Sequence, residues 1–437
     1  MVGSKTIGDY VSLQRGVTYK GNLVGKPGPA LLGLGSIHPG GGFRADYKTY
    51  GGECPEKLML RPGELFVSLK GATKDSEMIG SVARVPASVF SGRLTQDTVK
   101  LVFHDPDHNL TAFLYWILRT PHYRKYCAGR ATGSAVVALS REDFLSYPVP
   151  RLDPGKECIV RLLEDIESKI ELNRNMNGTL EAMARAVFKS WFVDFDPVRA
   201  RAEGRQPFGM DAQIAAFFPS SFEDLPFGKT PMGWTPIKLS CVARFVKGVS
   251  YRSSELQESN AALVTLKSVA RGGGYREDGL KSYSGQFKSE QVVQQGDIVV
   301  AHTDVTQAAD VLGRVARVRA DLKHSTLVAS LDLVIVRPKD ATTSREFLYE
   351  LLSRDEFKDH AYGYSNGTTV LHLSHKALPE YLFPMPPTPV REAFTNIVAP
   401  LFQQMDTNRA QSQTLLSIRN ALLPKLISGD IRVRASE

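Results

Sequence analysis

The sequence predicts an α+β protein built on an internal pseudo-twofold repeat: two globular domains of mixed α and β structure, separated by two long antiparallel coiled-coil helices. Three observations carry that prediction. A stretch of roughly half the chain is written twice. Each copy ends in an apolar seam spaced by threes and fours. Ahead of each seam lie short β-branched runs bounded by glycine and proline.

The repeat is read from register. LLGLGSI at 31–37, followed by Gly40-Gly41-Gly42-Phe43-Arg44, returns as LVTLKSV at 263–269, followed by Gly272-Gly273-Gly274-Tyr275-Arg276, an offset of 232 (Gly40 to Gly272). RPGELFVS at 61–68 matches QQGDIVVA at 294–301, and GSVARVPA at 80–87 matches GRVARVRA at 313–320, both offset by 233 (Arg61 to Gln294). Phe113-Leu114-Tyr115 returns as Phe347-Leu348-Tyr349, and Asn173-Arg174 as Asn408-Arg409, offsets of 234 and 235 (Phe113 to Phe347, Asn173 to Asn408). Chance similarity does not hold register in this way; a duplication with very few insertions does.

The elements follow in order. Segments 65–69, 82–85 and 99–103 read as strands, as do 297–300, 315–318 and 331–336, while 112–118 and 346–352 read as helices. Residues 155–192 form the first long helix, with a seam at Ile159, Leu162, Ile166, Ile170, Met176, Leu180, Met183, Val187 and Trp191. At 1.5 Å per residue it is about 57 Å long. Residues 394–427 form the second, with its seam at Phe394, Ile397, Leu401, Met405, Leu415, Ile418, Leu422 and Leu426. Gly178 weakens the first helix, and Pro400 and Pro424 predict a kink or restart in the second. The expected organisation is a first domain over 1–152, a helix over 153–193, a Pro-, Phe- and Gly-rich ordered connector over 194–232, a second domain over 233–387, a helix over 388–429 and a tail over 430–437.

Composition bounds the function. Hydrophobic residues at 42% and charged residues at 23% are those of a soluble globular protein, and no apolar run reaches the length of a membrane span. Cys54, Cys127, Cys158 and Cys241 are scattered, with no paired spacing for a disulfide framework or a zinc knuckle, which fits a reducing cytoplasm. The net charge of +8, from 54 basic and 46 acidic residues, agrees with a polyanionic partner.

Catalytic signatures are missing. Gly228-Lys229-Thr230 looks like the end of a phosphate loop, but the glycine required five residues earlier is Glu223. Gly33-Leu34-Gly35 lacks the third glycine and the following helix of a dinucleotide fingerprint. His372 and His375 stand three apart with no carboxylate or cysteine cluster to complete a metal site. Glu167-Ser168-Lys169 lies on the long helix, where charges ordinarily face solvent. No catalytic, cofactor or metal residue is therefore expected in this chain.

What remains is binding, and double-stranded DNA is the expected partner. Polar and basic loops in the first half, Arg15, Tyr19, Lys20, Arg44, Lys70, Thr73, Lys74, Arg130, Thr132 and Ser134, have counterparts in the second: Lys247, Tyr251, Arg252, Arg276, His302, Thr303, Thr306, Gln307, Tyr364, Asn366 and Thr368. Such side chains reach phosphates and base edges. Because the two sets differ (Lys70-Gly71-Ala72-Thr73 against Thr303-Asp304-Val305-Thr306), the halves are expected to read different bases.

At this point the residues resemble a known family, the specificity subunit of type I restriction-modification systems. Carrying the resemblance are Arg15-Gly16-x-x-Tyr19-Lys20, Gly133-Ser134…Leu139-Ser140, KSWFVDFDPVRAR at 189–201, Met232-Gly233-Trp234, and LLPKLISGDI at 422–431. The chain departs from the pattern in having no Gly-Trp ahead of Ile7. The resemblance implies two target-recognition domains, each reading half of a bipartite asymmetric site, with the helices as a ruler for the spacer between them. It implies two methyltransferase subunits using S-adenosylmethionine and two restriction subunits using ATP and Mg²⁺, all cofactors belonging to those partners. Phe188, Trp191, Phe192 and Phe195, taken as exposed neighbours of the seam, are the expected partner contacts. Competing readings are a coiled-coil scaffold and a stand-alone methyltransferase or nuclease.

Overall fold

The computed structural model describes residues 5–71, 77–105, 107–133, 137–225, 228–305, 309–367 and 370–425. The chain divides into two compact units, Met1–Leu172 with Ser412–Glu437, and Asn173–Gln411.

In the first unit, four antiparallel strands lie in the order Val11–Arg15, Thr98–Phe103, Leu65–Ser68, Val82–Arg84. Leu65–Ser68 is buried along its whole length, as its unbroken apolar run requires of a central strand. A second sheet pairs Ala30–Leu32 in parallel with Gly92–Leu94, whose other edge takes Met59–Leu60 antiparallel. Helices His108–Ile117 and Pro121–Arg130 cover the first sheet. The first is capped by Asp107 and the second by Thr120 followed by proline, all standard start signals. One core lies between the first sheet and these helices and takes in Ile159, Val160, Leu163 and Leu423 from the long helices; another fills the space around Leu32, Leu60, Phe66 and Leu94.

The second unit repeats this plan with one further strand, Lys281–Ser282, on its second sheet. Its main sheet runs Ala243–Lys247, Leu333–Pro338, Ile298–Ala301, Val315–Arg317, and its second sheet pairs Ala261–Val264 in parallel with Thr326–Ala329. Helices Arg345–Leu352 and Asp355–Gly363 take the places of the first unit's pair. The repeat extends to the backbone. A Cβ on Gly16 would lie 1.9 Å from the Thr95 carbonyl oxygen, and one on Gly248 would lie 2.0 Å from that of Ser330, so both loops need glycine for the same close approach.

The long helices are Pro154–Phe192 and Thr388–Leu422. They run antiparallel: within the second unit Asn173 pairs with Asn408 and Phe188 with Phe394, the numbers moving in opposite directions. Two details differ from expectation. The second helix passes straight through Pro400, because Phe394, Val398 and Phe402 are buried on either side of it and their packing offsets a lost hydrogen bond of about 3 kcal/mol. It starts at Thr388 and ends at Leu422, ahead of Pro424, where the sequence predicts a break. The seam is rotated: Ile159, Leu163, Ile166, Ile170, Asn173, Ala184, Phe188 and Trp191 are buried, whereas Leu162, Met176 and Met183 are exposed, as are Ile397 and Ile418. Spacing alone cannot choose between neighbouring stripes of a helix that packs on a domain and on a second helix at once. No helix among the described residues is long and apolar enough to cross a membrane.

Candidate nucleic-acid interface

Each unit carries a cleft at the same place in the repeat. In the first, Tyr19, Leu31, the Gly33–Ser36 turn, Asp46, Tyr47, Lys48, Thr95 and Asp97 enclose about 340 Å³. In the second, Tyr251, the Thr265–Lys267 turn, Arg271, Arg276, Asp278, Lys281 and Asp332 line about 610 Å³. Tyr19 and Tyr251 are equivalent, as are Asp46 and Asp278, and Asp97 and Asp332.

A carboxylate of each cleft holds an arginine. Arg44 lies 3.4 Å from Asp46, and Arg276 grips Asp278 through two bonds of 3.0 and 2.6 Å. A guanidinium anchored in this way presents its fork in a set direction, as base or phosphate recognition requires. Tyr19 meets Tyr50 edge to face with ring centroids 6.1 Å apart, and the Lys281 ammonium lies 5.9 Å over the Tyr251 ring. The matched carboxylates Asp97 and Asp332 hold different partners. Lys70 Nζ stands 3.7 Å from Asp97, where the second unit has the Thr303 hydroxyl donating to Asp332 over 2.9 Å.

Not every expected residue joins the clefts. Arg15, Lys20, Lys247 and Arg252 are exposed at or just beyond the ends of strands Val11–Arg15 and Ala243–Lys247. Arg130 stacks 3.9 Å over the Tyr126 ring beside Asp143, and Thr132 is exposed next to strand Val137–Ala138, which pairs with Lys70–Gly71. Asn366 belongs to a three-stranded sheet with Thr303 and His372, and Tyr364 packs on His360 with centroids 5.0 Å apart. His302 is half-buried; burial, then Lys247, pushes its imidazole below the ordinary value, favouring the neutral form. Thr303 is buried with its hydroxyl committed, so it is not the surface contact expected of it. Thr73, Lys74, Ser134, Thr306, Gln307 and Thr368 lie outside the described residues.

The aromatic set needs correction. Phe188, Trp191 and Phe192 are 2%, 6% and 6% exposed and form the core of the second unit with Phe347, Phe394 and Trp234; Phe195 is half-buried against Trp234. The chain's own domain, rather than a partner, covers them. Sequence reasoning also passed over Asp46, Asp278, Asp97, Asp332, Lys48 and Lys281. The signal for the first two was present, since Arg-x-Asp recurs at 44–46 and 276–278. Among the described residues no three His, Cys, Asp or Glu side chains converge as a metal cage would require.

No family model matches the chain. The specificity subunit of the type I restriction enzyme MjaIX from Methanocaldococcus jannaschii is 25% identical over 336 residues, covering 75% of this chain and 70% of its own. That of HindI from Haemophilus influenzae is 27% identical over 384 residues, covering 76% of this chain and 81% of its own. The chain is thus similar to the specificity subunits of type I restriction enzymes. Among solved structures, the S subunit of a type I system from M. genitalium aligns with 97% of this chain and 95% of its own, at 16% identity and a TM-score of 0.48.

Proposed function

We propose that this chain is the non-catalytic DNA-reading subunit of a type I restriction-modification complex. Each cleft reads one half of a bipartite asymmetric site, and the long helices set the unread spacer. The observation that carries this reading is the matched pair of clefts with unmatched chemistry: Tyr19 and Tyr251, Asp46 and Asp278, and Asp97 and Asp332 recur at equivalent places, while the cations differ, Lys48 in the first cleft and Lys267, Arg271, Arg276 and Lys281 in the second. A duplicated frame with exchanged donors suits two different short sequences on one duplex.

Methylation and cleavage would be supplied by two methyltransferase subunits with S-adenosylmethionine and two restriction subunits with ATP and Mg²⁺. With the aromatic set buried, the apolar residues that the central helix leaves exposed in the first unit, Leu162 and Leu172, replace it as the surface for such partners.

Methylation-aware sequencing of DNA from cells co-expressing this chain with a methyltransferase subunit tests the reading. Exchanging residues 7–150 for those of another family member should change one half-site and leave the other intact; a change in both would sink the modular reading. Four residues inserted into each long helix should lengthen it by about 6 Å and shift the tolerated spacer by one or two base pairs. An unchanged spacer would reject the ruler.

A further inference from the structure

The repeat places Trp116 opposite Glu350 and Arg119 opposite Ser353, an offset of 234 (Trp116 to Glu350), and the two substitutions act on one space. In the first unit Arg119 fills it. Its side chain is 7% exposed, lies 4.7 Å over the Trp116 ring, donates to the Tyr115 hydroxyl over 2.7 Å and stands 3.7 Å from Glu167. It packs so closely on the glycine loop that a Cβ on Gly41 would come within 2.9 Å of its Cγ. Trp116 completes the closure by donating its indole N–H to Glu164 over 2.6 Å.

In the second unit the glycine loop and the tyrosine recur, but Glu350 stands where the first unit has Trp116 and Ser353 where it has Arg119. Ser353 turns back onto the Tyr349 carbonyl, and a Cβ on Gly272 or Gly274 would meet nothing within 4 Å. The result is a cavity of about 540 Å³ lined by the Gly272–Gly274 loop, Ser353, Tyr349, Glu350 and the last turns of the central helix. Glu350 is 3% exposed, and its Oε1 has no hydrogen-bond partner. Of the cations around the cavity, Arg185 pairs with Glu181, Arg314 with Asp355 and Arg354 with Glu356, at 3.6, 2.8 and 2.7 Å, and Lys189 with Asp194; Lys358 has no ion pair among the described residues, and the buried Arg314 Nε has no acceptor. A buried carboxyl with an unmet acceptor is costly unless a donor arrives.

We propose that this cavity is a binding site for a guanidinium group, seated on Glu350 in the space that Arg119 occupies in the first unit. The first unit supplies part of the template, a flat cation against a glycine loop and edged by a tyrosine; the carboxylate differs, Glu350 standing at the Trp116 position while Phe402 takes the place of Glu167 (offset 235). A guanidinium offers planar donors for that geometry, which a point-like ammonium does not. The group can come from a free guanidino compound or from an arginine of a protein partner. The site holds whether or not the DNA-reading role is correct.

The test titrates N-acetyl-L-arginine amide into the full-length protein and the Glu350→Gln and Ser353→Arg variants, followed by ligand-observed NMR. Binding to the wild type should fall at least tenfold in Glu350→Gln and vanish in Ser353→Arg, which fills its own slot and should melt no lower than the wild type. A parallel measurement of methyltransferase-subunit affinity separates the sources. A tenfold loss with both variants assigns the guanidinium to that partner, whereas unchanged affinity with the probe bound assigns a free compound. The proposal is overturned if neither the probe nor the subunit distinguishes the wild type from Glu350→Gln.

Discussion

The two units seat the same sheet-and-helix domain on their helix segments by opposite means. In the first unit the contact is ionic. Arg84 grips Glu164 through bonds of 3.0 and 2.7 Å, Glu164 also receives Trp116, and Glu167 takes Arg419 at 3.2 Å. In the second it is aromatic: Phe188, Trp191, Phe192, Phe347 and Phe394 interlock with centroids between 5.0 and 6.3 Å, leaving Arg317–Asp406 as an ion pair on the flank. A duplicated topology therefore preserves strand order and backbone turns while the chemistry of the seat drifts. Sheet register and loop glycines are demanded by backbone geometry, but many side-chain sets satisfy one interface volume.

Breaking the aromatic seat should have the largest effect. Phe394→Ala removes a fully buried ring from the second unit and should cost about 3–5 kcal/mol in chemical denaturation. The two seats should also respond oppositely to acid. Burial raises the Glu350 carboxyl of the second unit to about 7, with Arg185 opposing and Glu181 adding to the shift. Its folded value lies above the unfolded one, so its contribution is fully present below about pH 4.5 and is lost as pH rises through 7, an effect of roughly 3 kcal/mol. Glu350→Gln should flatten that part of the stability–pH curve. Glu167 behaves in reverse: burial raises it, but Arg119 and Arg419 outweigh burial and hold it below its ordinary value, so its stabilisation fades as pH falls through the folded value.

Glu164→Ala comes next. It strands Arg84 and the Trp116 indole in the first seat and should cost about 2 kcal/mol, with an added dependence on salt that Phe394→Ala lacks. The smallest effect belongs to the clefts. Arg44→Ala and Arg276→Ala should each weaken discrimination by about 1–2 kcal/mol at one half-site, read as relaxed methylation there and unchanged methylation at the other. Equal relaxation of both halves by either variant would contradict a division of labour between the clefts.

Much of this was legible in the linear text. The offset pairs placed the main strands within a residue or two, and the pairing of Tyr19 with Tyr251 and of Arg44 with Arg276 was visible because loop positions keep register with their strands. The aromatic run at 188–195 misled for a definite reason. Sequence shows that a helix end is apolar, but the surface that covers it comes from residues some 150–200 positions away, Phe347 and Phe394 among them. Asp97 and Asp332 were invisible as cleft residues because their role depends on reaching Lys70 and Thr303 across a sheet.

By itself the sequence determined the duplication, the strand-and-helix order within each copy and the presence of two long helices. Those follow from local periodicity and from turn residues whose backbone needs are met within a few positions. Only the tertiary structure decided which stripe of each helix is buried, that one seat is ionic and the other aromatic, and that Ser353 opens a cavity where Arg119 closes one. Such outcomes depend on which distant side chains compete for one volume, and close packing settles that competition only when the chain is folded.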